Sequence, residues 1–243
     1  MKKTAQSQDL LQVNNFLEES ENIEKDSKTF EKLMFIYSVA IKELVTKIEI
    51  IKDEFKVFYD YELIDHINTR IKKPESILKK MKDKNCELTY KEMINNINDI
   101  AGIRVICPLK KDIFSIRNLI SNLPGIQLVK EKDYVTKPKE SGYSSYHLIL
   151  DVPITLSQKV MYVRVEVQIR TMAMDFWASI EHKAKYKPSG DISKSASKEL
   201  VKYAKMINKI DENMMTLKYW VDRLSFDFVS VGSGFNWQHF VVN

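Results

Sequence analysis

Strict alternation of apolar and polar side chains over residues 162–170 constrains the fold more than any other stretch. The alternation predicts a β-strand with one face buried in a core. The other face would carry a row of polar side chains, those of Arg164, Glu166, Gln168 and Arg170. Thr171 then fits a helix N-cap, and helical spacing follows at Ala173, Phe176, Trp177, Ile180 and Ala184. The polar row therefore ends where a helix begins, although an ordinary solvated strand face would show the same pattern.

Apolar spacing predicts further elements on both sides of this strand. Strands are expected over residues 99–108, 126–134 and 146–152, with a helix over 112–123. An amphipathic helix is expected from Phe30 to Phe55, and a second helical region over 61–84 is expected to restart at Pro74. We therefore predict an α+β domain with one mixed β-sheet of about five strands, flanked by helices and extended by helical N- and C-terminal arms.

The last predicted helix carries an apolar seam at heptad spacing. Its members are Leu200, Tyr203, Ile207, Ile210, Met214, Leu217, Val221 and Leu224. Such a seam is typical of helix packing, either within one chain or between subunits. The pattern leaves both possibilities open.

Composition excludes several classes of protein. No apolar run approaches the length of a membrane span, and the first residues lack the apolar core of a signal peptide. Cys86 and Cys107 lie far apart without metal-ligand spacing, which indicates a reducing, cytoplasmic compartment. None of the 6 glycines forms a phosphate-binding loop, so a nucleotide would have to be held by Lys and Arg side chains and metal ions.

The net charge of the chain does not distinguish between two classes of anionic ligand. The formal net charge of +5 suits phosphorylated small molecules and nucleic acid alike. A run of basic residues between Lys72 and Lys84 could serve an RNA-binding surface, or simply form a solvated helix face. The run lacks interleaved aromatic residues for base stacking, which disfavours RNA binding as the sole function.

Several short motifs occur in a fixed order along the middle of the chain. Residues 99–104 spell D-I-A-G-I-R, residues 165–171 spell V-E-V-Q-I-R-T, and residues 173–178 spell A-M-D-F-W-A, followed by Glu181-His182. Residues 132–134 spell K-D-Y, and a loop with Pro138-Lys139 and Gly142-Tyr143 leads to His147. Arg70, Lys72 and Ser76 match R-x-K-x-x-x-S. Over roughly residues 61–187, these motifs resemble those of the RelA/SpoT-type alarmone synthetases.

The resemblance implies an activity, a fold and a set of partners. That family transfers the β,γ-pyrophosphate of ATP to the ribose 3′-hydroxyl of GTP or GDP, giving pppGpp or ppGpp and AMP. Its fold is similar to that of nucleotidyltransferases, and its cofactor is Mg²⁺. The histidine-aspartate metal motif of the family's hydrolase domain is missing here, so the chain resembles a synthetase-only member with no hydrolase activity. Short members are often homotetramers built through terminal helices.

The resemblance also implies roles for individual residues. Asp99 and Glu166 match the Mg²⁺ carboxylates, and Glu166 is either a ligand alone or also the base that accepts the 3′-hydroxyl proton. Arg70 and Arg104 match the arginines that stack on adenine, while ATP phosphates would be held by Lys72, Ser76 and Lys80. Tyr143 matches the tyrosine that stacks on guanine. The rest of the acceptor region would be lined by Lys132, Lys139, His147, Gln168 and Arg170.

Some of these residues also have ordinary structural explanations. Asp99 could be a turn or N-cap residue, His147 could be a structural histidine, and Phe176 and Trp177 are expected in the core. Two departures from the family pattern concern the acceptor loop: Ser141 stands where Asn is usual, and Ser144 stands where Arg is usual. They predict an acceptor site that discriminates less between GTP, GDP and GMP.

The predicted organisation has four segments. Residues 1–28 form a polar extension, 29–190 the synthetase domain with its N-terminal helices, 191–224 a C-terminal helical oligomerisation arm, and 225–243 a tail without an assignment. Two other function classes remain as alternatives to an active enzyme. One is a nucleotide-sensing module without turnover, and the other is an RNA-binding protein.

Overall fold

The computed structural model describes residues 27–157, 159–185 and 194–229. Helix α1 spans Ser27–Tyr59 and is followed by strand β1 (His66–Ile71), helix α2 (Pro74–Asp83) and helix α3 (Tyr90–Asn96). Strand β2 (Ala101–Cys107), helix α4 (Lys110–Ser121) and strand β3 (Gln127–Asp133) come next. Strands β4 (Tyr146–Leu156) and β5 (Lys159–Thr171) precede helices α5 (Met172–Lys185) and α6 (Lys194–Val229). Across these ranges, no helix is both long enough and apolar enough to cross a bilayer.

The strands form one mixed, 5-stranded sheet in the order β1-β2-β5-β4-β3. Strands β2 and β5 run parallel, and the other neighbours pair antiparallel. The alternating stretch of residues 162–170 is thus the middle strand of the sheet, flanked by β2 and β4. Its apolar side chains are buried as predicted, those of Val163, Val165, Val167 and Ile169. The predicted α+β fold with a mixed sheet and flanking helices is confirmed.

Helices α1 and α4 pack on the apolar side of the sheet. Leu33, Leu44 and Ile48 of α1 share one core cluster with the buried side chains of β5, and so does Ile116 of α4. At about 25 cal/mol for each square ångström of apolar surface buried, side chains of this size each stabilise the fold by about 1.5–3 kcal/mol. The N-terminal helix is therefore part of the main core.

The prediction of a helical region over residues 61–84 is wrong in its first part. His66–Ile71 is the edge strand β1, which pairs only with β2. An edge strand exposed along most of its length has no buried face, so it shows no alternation of apolar and polar residues. The restart at Pro74 is confirmed, since proline stands at the first turn of α2. Helix α3 was not predicted, and it begins at a Thr89 cap whose hydroxyl accepts from Glu92 N at 3.2 Å.

The helix after Thr171 is confirmed, but part of its expected buried face is wrong. The Thr171 hydroxyl accepts a hydrogen bond from Met174 N at 3.1 Å, which is the predicted cap. Trp177 is buried, whereas Phe176 is 65% exposed and therefore does not belong to the core. Helix α5 instead turns Met174, Trp177 and Ala178 inward, three positions at spacings of three and four residues.

The apolar seam of α6 has two faces with different surroundings. Leu200 and Ile207 pack beside Trp177 within the chain. Tyr203, Ile210, Met214 and Leu217 are each about half exposed in the described part of the chain. The side chains of Val221 and Leu224 lie outside the described residues, as do residues 1–26 of the predicted extension and 230–243 of the predicted tail. The backbone of α6 continues to Val229, beyond the predicted end of the arm at 224.

Candidate active site

A row of side chains crosses the whole sheet on the face opposite α1. Asn68 on β1 pairs with Arg104 on β2, and Arg104 pairs with Gln168 on β5. Gln168 pairs with His147 on β4, and His147 pairs with Lys132 on β3. Since residues paired in neighbouring strands point to the same face, the register brings together residues that are distant in the sequence. Among them are four predicted site residues: Arg104, Lys132, His147 and Gln168.

The adjacent row contains Arg70, Gly102 and Glu166, which are paired in register across β1, β2 and β5. A Cβ atom on Gly102 would lie 3.3 Å from Cγ and 3.4 Å from Nε of Arg70. Because glycine has no side chain, the Arg70 side chain can lie across β2. The glycine of D-I-A-G-I-R thus opens the space between Arg70 and Glu166.

Two adjoining cavities open along these rows. The smaller one, of about 200 Å³, includes Asn68, Arg70, Arg104, Glu166 and Gln168 in its lining. The larger one measures about 500 Å³. Its walls are formed by Arg70, Arg104, Tyr143, Gln168, Arg170, Ala178, Ser179, Glu181, His182 and Lys183. The shared residues Arg70, Arg104 and Gln168 join the two cavities into one cleft.

Asp99 lies in the turn before β2 and is paired with two ammonium groups. Lys72 Nζ is 3.0 Å from Asp99 Oδ2, and Lys80 Nζ is 2.9 Å from Oδ1. Burial alone would raise the pKa of Asp99, but the hydrogen bonds and charges of Lys80 and Lys72 outweigh it and hold the pKa below its usual value. Ser76 lies one helical turn before Lys80 on α2, so both side chains face the same side. Two of the predicted phosphate-binding residues, Lys72 and Lys80, therefore contact a charged Asp99.

A chain of hydrogen bonds connects Arg170 to Glu166 through Tyr143 and His147. Arg170 Nη2 lies 2.7 Å from the Tyr143 hydroxyl, which is 2.8 Å from His147 Nε2, and His147 Nδ1 is 3.2 Å from Glu166 Oε1. The guanidinium can only donate, so the Tyr143 oxygen accepts and its own proton is directed at Nε2. For a neutral imidazole, this assigns the proton to Nδ1, which donates to Glu166.

A second path joins the same two residues through Gln168. Arg170 Nη2 donates to Gln168 Oε1 at 2.7 Å, and Gln168 Nε2 donates to Glu166 Oε2 at 2.9 Å. Each carboxylate oxygen of Glu166 thus accepts one hydrogen bond. Burial raises the pKa of Glu166. The hydrogen bond and electrostatic attraction of His147 and the hydrogen bond from Gln168 together lower that pKa by more, so the net shift is downward. The Glu166 side chain is held ionised and oriented at the centre of the cleft.

Comparisons with known proteins match this arrangement. A family profile described as the region found in RelA / SpoT proteins matches residues 69–191. The GTP pyrophosphokinase YwaC of Bacillus subtilis is 42% identical over 189 residues, which cover 78% of this chain and 90% of that protein. This chain belongs to the RelA/SpoT family.

Solved structures of small RelA/SpoT-family proteins share the fold. The small alarmone synthetase 1 of Bacillus subtilis, in a crystal structure bound to its product pppGpp, superposes with a TM-score of 0.74 at 33% identity. The alignment covers 80% of this chain and 99% of that one. The small alarmone synthetase 2 of Bacillus subtilis gives a TM-score of 0.72 at 38% identity, covering 79% of this chain and 99% of that one.

Asp175 contacts two predicted site residues of the RelA/SpoT domain, although no role was predicted for it. Its Oδ1 atom lies 3.1 Å from Arg104 Nη1 and 3.0 Å from Arg170 Nη1. Burial and repulsion by Arg170 and Arg70 lower the pKa of Arg104, and Asp175 opposes this. One carboxylate oxygen thus links the predicted adenine-binding arginine to the predicted acceptor arginine. The signal was present in the A-M-D-F-W motif, which contains Asp175.

Tyr134 is a second site residue without a predicted role, although it ends the K-D-Y motif. The Lys139 ammonium lies 4.8 Å from the centre of the Tyr134 ring and 5.0 Å from that of Tyr143. His147 meets both rings edge-on, at centroid distances of 5.4 and 5.8 Å. The loop and the ends of β3 and β4 therefore form an aromatic cluster in contact with two cations, Lys139 and, at 5.1 Å from the Tyr143 ring centre, Arg170.

Two serines of the predicted acceptor loop, Ser141 and Ser144, do not line either cavity of the cleft. The Ser144 hydroxyl is 3.6 Å from Met174 Sδ, and Ser144 lines a separate apolar cavity against α6. Ser141 Oγ accepts from Tyr143 N at 3.4 Å, within the loop itself. The two serines therefore contact α5 and the loop backbone, and the prediction of weak acceptor discrimination remains a prediction.

The donor set of the RelA/SpoT cleft suits a hard divalent cation shared with phosphates. The described residues contain no cluster of three or more His, Cys, Asp or Glu side chains that could enclose a metal ion. Mg²⁺ is commonly held by one or two carboxylates together with water and substrate phosphates. Asp99 and Glu166 are both ionised, and the charge of Asp99 acts on the pKa of Glu166. Their oxygens therefore fit such a cation.

Proposed function

We propose that this chain is a synthetase-only GTP pyrophosphokinase, which transfers the β,γ-pyrophosphate of ATP to the 3′-hydroxyl of GTP or GDP. The observation that carries the proposal is the central position of Glu166, between the arginines on β1 and β2 and the Tyr143–His147 pair. Relatives that match nearly their whole length are named GTP pyrophosphokinases. The nucleotide substrates are cytoplasmic metabolites, so we infer that the enzyme works in the cytoplasm.

The donor side of the cleft, defined as Arg70, Lys72, Ser76, Lys80, Asp99 and Arg104, would bind ATP. Arg70 and Arg104 project from adjacent strands on one face, which suits two planar guanidinium groups on either side of adenine. Lys72 and Lys80 already hold their ammonium groups around a carboxylate. Incoming phosphate oxygens would compete with Asp99 for these two cations.

The acceptor side, defined as Lys132, Lys139, Tyr143, His147, Gln168 and Arg170, would bind the guanine nucleotide. Tyr143 offers a ring for stacking, and hydrogen bonds from its hydroxyl to Arg170 and His147 hold that ring in place. Lys139, His147 and Arg170 surround that ring, while Lys132 extends the row on β3. Their cationic and hydrogen-bonding groups match phosphate and ribose oxygens.

We infer that Mg²⁺ is the cofactor and that Asp99 and Glu166 hold it. When bound, the cation would offset the repulsion between two polyphosphates and polarise the transferred group. Glu166 would also serve as a base for the 3′-hydroxyl proton, which is supported by a lone pair left on each of its oxygens beside the hydrogen bonds from His147 and Gln168. The chain from Arg170 would hold the Glu166 carboxylate in place while that proton moves.

The experiment that tests this function identifies the products formed from ATP with GTP, GDP and GMP in turn, at saturating Mg²⁺. We expect AMP and the 3′-pyrophosphorylated acceptor in equal amounts, with GTP and GDP as substrates. Values of kcat/KM for the three acceptors within about tenfold of one another would support the weak discrimination predicted from Ser141 and Ser144 (about 1.4 kcal/mol). Binding of ATP and GTP without AMP formation would instead indicate a sensing module. RNA affinity that falls steeply with salt would indicate an RNA-binding function.

We propose further that the enzyme is a homotetramer assembled through α6. Tyr203, Ile210, Met214 and Leu217 leave an apolar row about half exposed, and exposed apolar rows of this kind mark interfaces. Light scattering at micromolar concentration should give the mass of four chains. Ile210→Asp should give smaller species, because association would bury an unpaired charge. Thr216→Asp is the matched control, since it makes the same change of charge at an exposed position of α6 outside the apolar row.

A further inference from the structure

The acceptor loop makes an unusually close contact with helix α6 at Gly142. Gly142 has a φ angle of +88° and directly precedes Tyr143. A Cβ atom on Gly142 would lie 2.4 Å from Cβ of Ala204 and 3.5 Å from the Trp177 ring. Only glycine can occupy the loop position, because a Cβ atom there would overlap with that of Ala204, and a larger side chain at 204 that extends toward the loop would press on its backbone.

Helix α6 is fixed by contacts that do not involve this loop. Trp177 Nε1 on α5 donates to the Leu200 carbonyl at 2.9 Å, and the Thr171 hydroxyl at the end of β5 donates to Asp211 Oδ2 at 2.8 Å. Lys110 at the start of α4 donates to Asn208 Oδ1 at 2.9 Å. The helix is thus anchored to the same strand that carries Glu166, and it offers the loop a fixed surface.

The loop transmits its position directly to the Tyr143 ring. Gly142 N donates to the Lys139 carbonyl at 2.8 Å, and Lys139 N donates to the Tyr143 carbonyl at 3.0 Å. This tight turn joins Lys139, Gly142 and Tyr143 into one unit. A shift of Gly142 away from α6 would therefore move the Tyr143 hydroxyl relative to Arg170 and His147, whose hydrogen bonds of 2.7 and 2.8 Å tolerate little displacement.

We propose that Ala204 is a positioning residue for acceptor binding, which acts by setting the distance between α6 and Gly142. This inference rests on the proposed acceptor side, and it assigns a role in acceptor affinity to a helix outside the cleft. Ala204 is buried and touches neither cavity of the cleft. The donor residues lie on β1, β2 and α2 and in the segments next to them, away from this contact, so ATP binding should not depend on it.

The test compares Ala204→Val with Met206→Val, a control on the exposed side of the same helix. Ala204→Val should raise KM for GTP by about tenfold or more while KM for ATP stays within about twofold. Met206→Val should leave both constants unchanged. A rise in both KM values for Ala204→Val, or in neither, would overturn the positioning role.

A double-mutant cycle separates this inference from the proposed acceptor site. Tyr143→Ala alone should raise KM for GTP, and adding Ala204→Val should then have little further effect, since the two changes act through one ring. If Tyr143→Ala raises KM for GTP but Ala204→Val does not, the positioning role fails and the acceptor site stands. If neither variant changes it, the proposed acceptor site itself fails.

A smaller substitution at the same position tests the inference if Ala204→Val does not fold. Ala204→Ser adds a single atom at the contact and should raise KM for GTP by a smaller factor, about twofold to fivefold, with thermal unfolding close to that of wild type. A folded Ala204→Ser with wild-type constants would count against the inference, because the Ala204 side chain is already in close contact with Gly142.

Discussion

The donor side and the acceptor side of the cleft are built from different kinds of interaction. The donor side rests on the exposed edge strand β1 and on α2, where the Lys80 side chain is 37% exposed. Its order comes from two ion pairs to Asp99. The acceptor side lies on β4 and β5, where the Arg170 side chain is only 5% exposed. Its order comes from hydrogen bonds that all lead from Arg170 to Glu166.

This difference predicts different behaviour when substrates arrive. The ammonium groups of Lys72 and Lys80 stand at the ends of long, flexible side chains, and the Lys80 side chain is 37% exposed, so the two lysines can exchange Asp99 for phosphate. In a buried hydrogen-bonded network, each polar group that loses its partner costs free energy. The acceptor side is therefore held in one arrangement. The donor side should therefore respond to substitution mainly in binding, and the acceptor side in binding and stability together.

The largest effect is expected where the two sides meet, at Glu166. Glu166→Gln removes the charge needed at the transferred group and should lower kcat by at least about 10²–10³-fold, or about 2.7–4 kcal/mol, while the chain stays folded. Steady-state assays at saturating Mg²⁺ measure this loss. Glu62→Gln is the control, an exposed carboxylate between α1 and β1 that should have no effect. Near-normal turnover in Glu166→Gln would show that Glu166 is not needed for the reaction.

The next largest effect is expected at the centre of the acceptor network. Arg170→Lys keeps the charge but loses the fork that serves Tyr143, Gln168 and Asp175. The free energy of unfolding should fall by about 1–3 kcal/mol, and kcat/KM for GTP should fall with it. Urea denaturation and acceptor kinetics test both parts. Arg117→Lys, at an exposed ion pair with Glu131, should change stability by less than about 0.5 kcal/mol.

A smaller and more selective effect is expected on the donor side. Arg70→Lys or Arg104→Lys keeps the charge but loses the planar group for stacking on adenine, at a cost of about 0.5–2 kcal/mol. Titrations should show weaker ATP binding, with GTP binding within about twofold of wild type and stability nearly unchanged. Equal losses for both nucleotides would mean that these arginines support the whole cleft, and the contrast between the two sides would then be wrong.

The smallest effect concerns the pH dependence of the Asp99 ion pairs. The folded pKa of Asp99 is lower than its unfolded value of about 3.9, so its contribution to stability is present above that value and is lost as the pH falls through the folded pKa. The difference in unfolding free energy between wild type and Asp99→Asn, no more than about 1 kcal/mol at neutral pH, should therefore shrink between pH 5 and pH 3. Urea titrations across this range measure it. A difference that grows on acidification would contradict the pairing.

Much of the acceptor side could be predicted from the sequence because its strand is a strongly patterned one. Apolar and polar residues alternate without a break from Val163 to Ile169. This two-residue period alone predicted the strand and the shared face of Glu166 and Gln168. The donor side was harder because β1 is exposed on both faces and carries no such signal. Its location could be inferred only through the motif that includes Arg70 and Lys72, while its secondary structure was assigned wrongly as helix.

The sequence by itself determined which residue types belong to the site. It also determined the alternation of apolar and polar residues in the strand that carries several of them. Tertiary structure decided which partners they meet. Sheet register placed Arg70 beside Gly102 and Glu166, and it aligned Asn68, Arg104, Gln168, His147 and Lys132 across strands that are far apart in the chain. The bridging position of Asp175 and the contact of Ala204 with Gly142 depend on how α5 and α6 pack on that sheet. Local sequence patterns encode period and capping, whereas the distance between two side chains on different elements is set by the packing of the whole core.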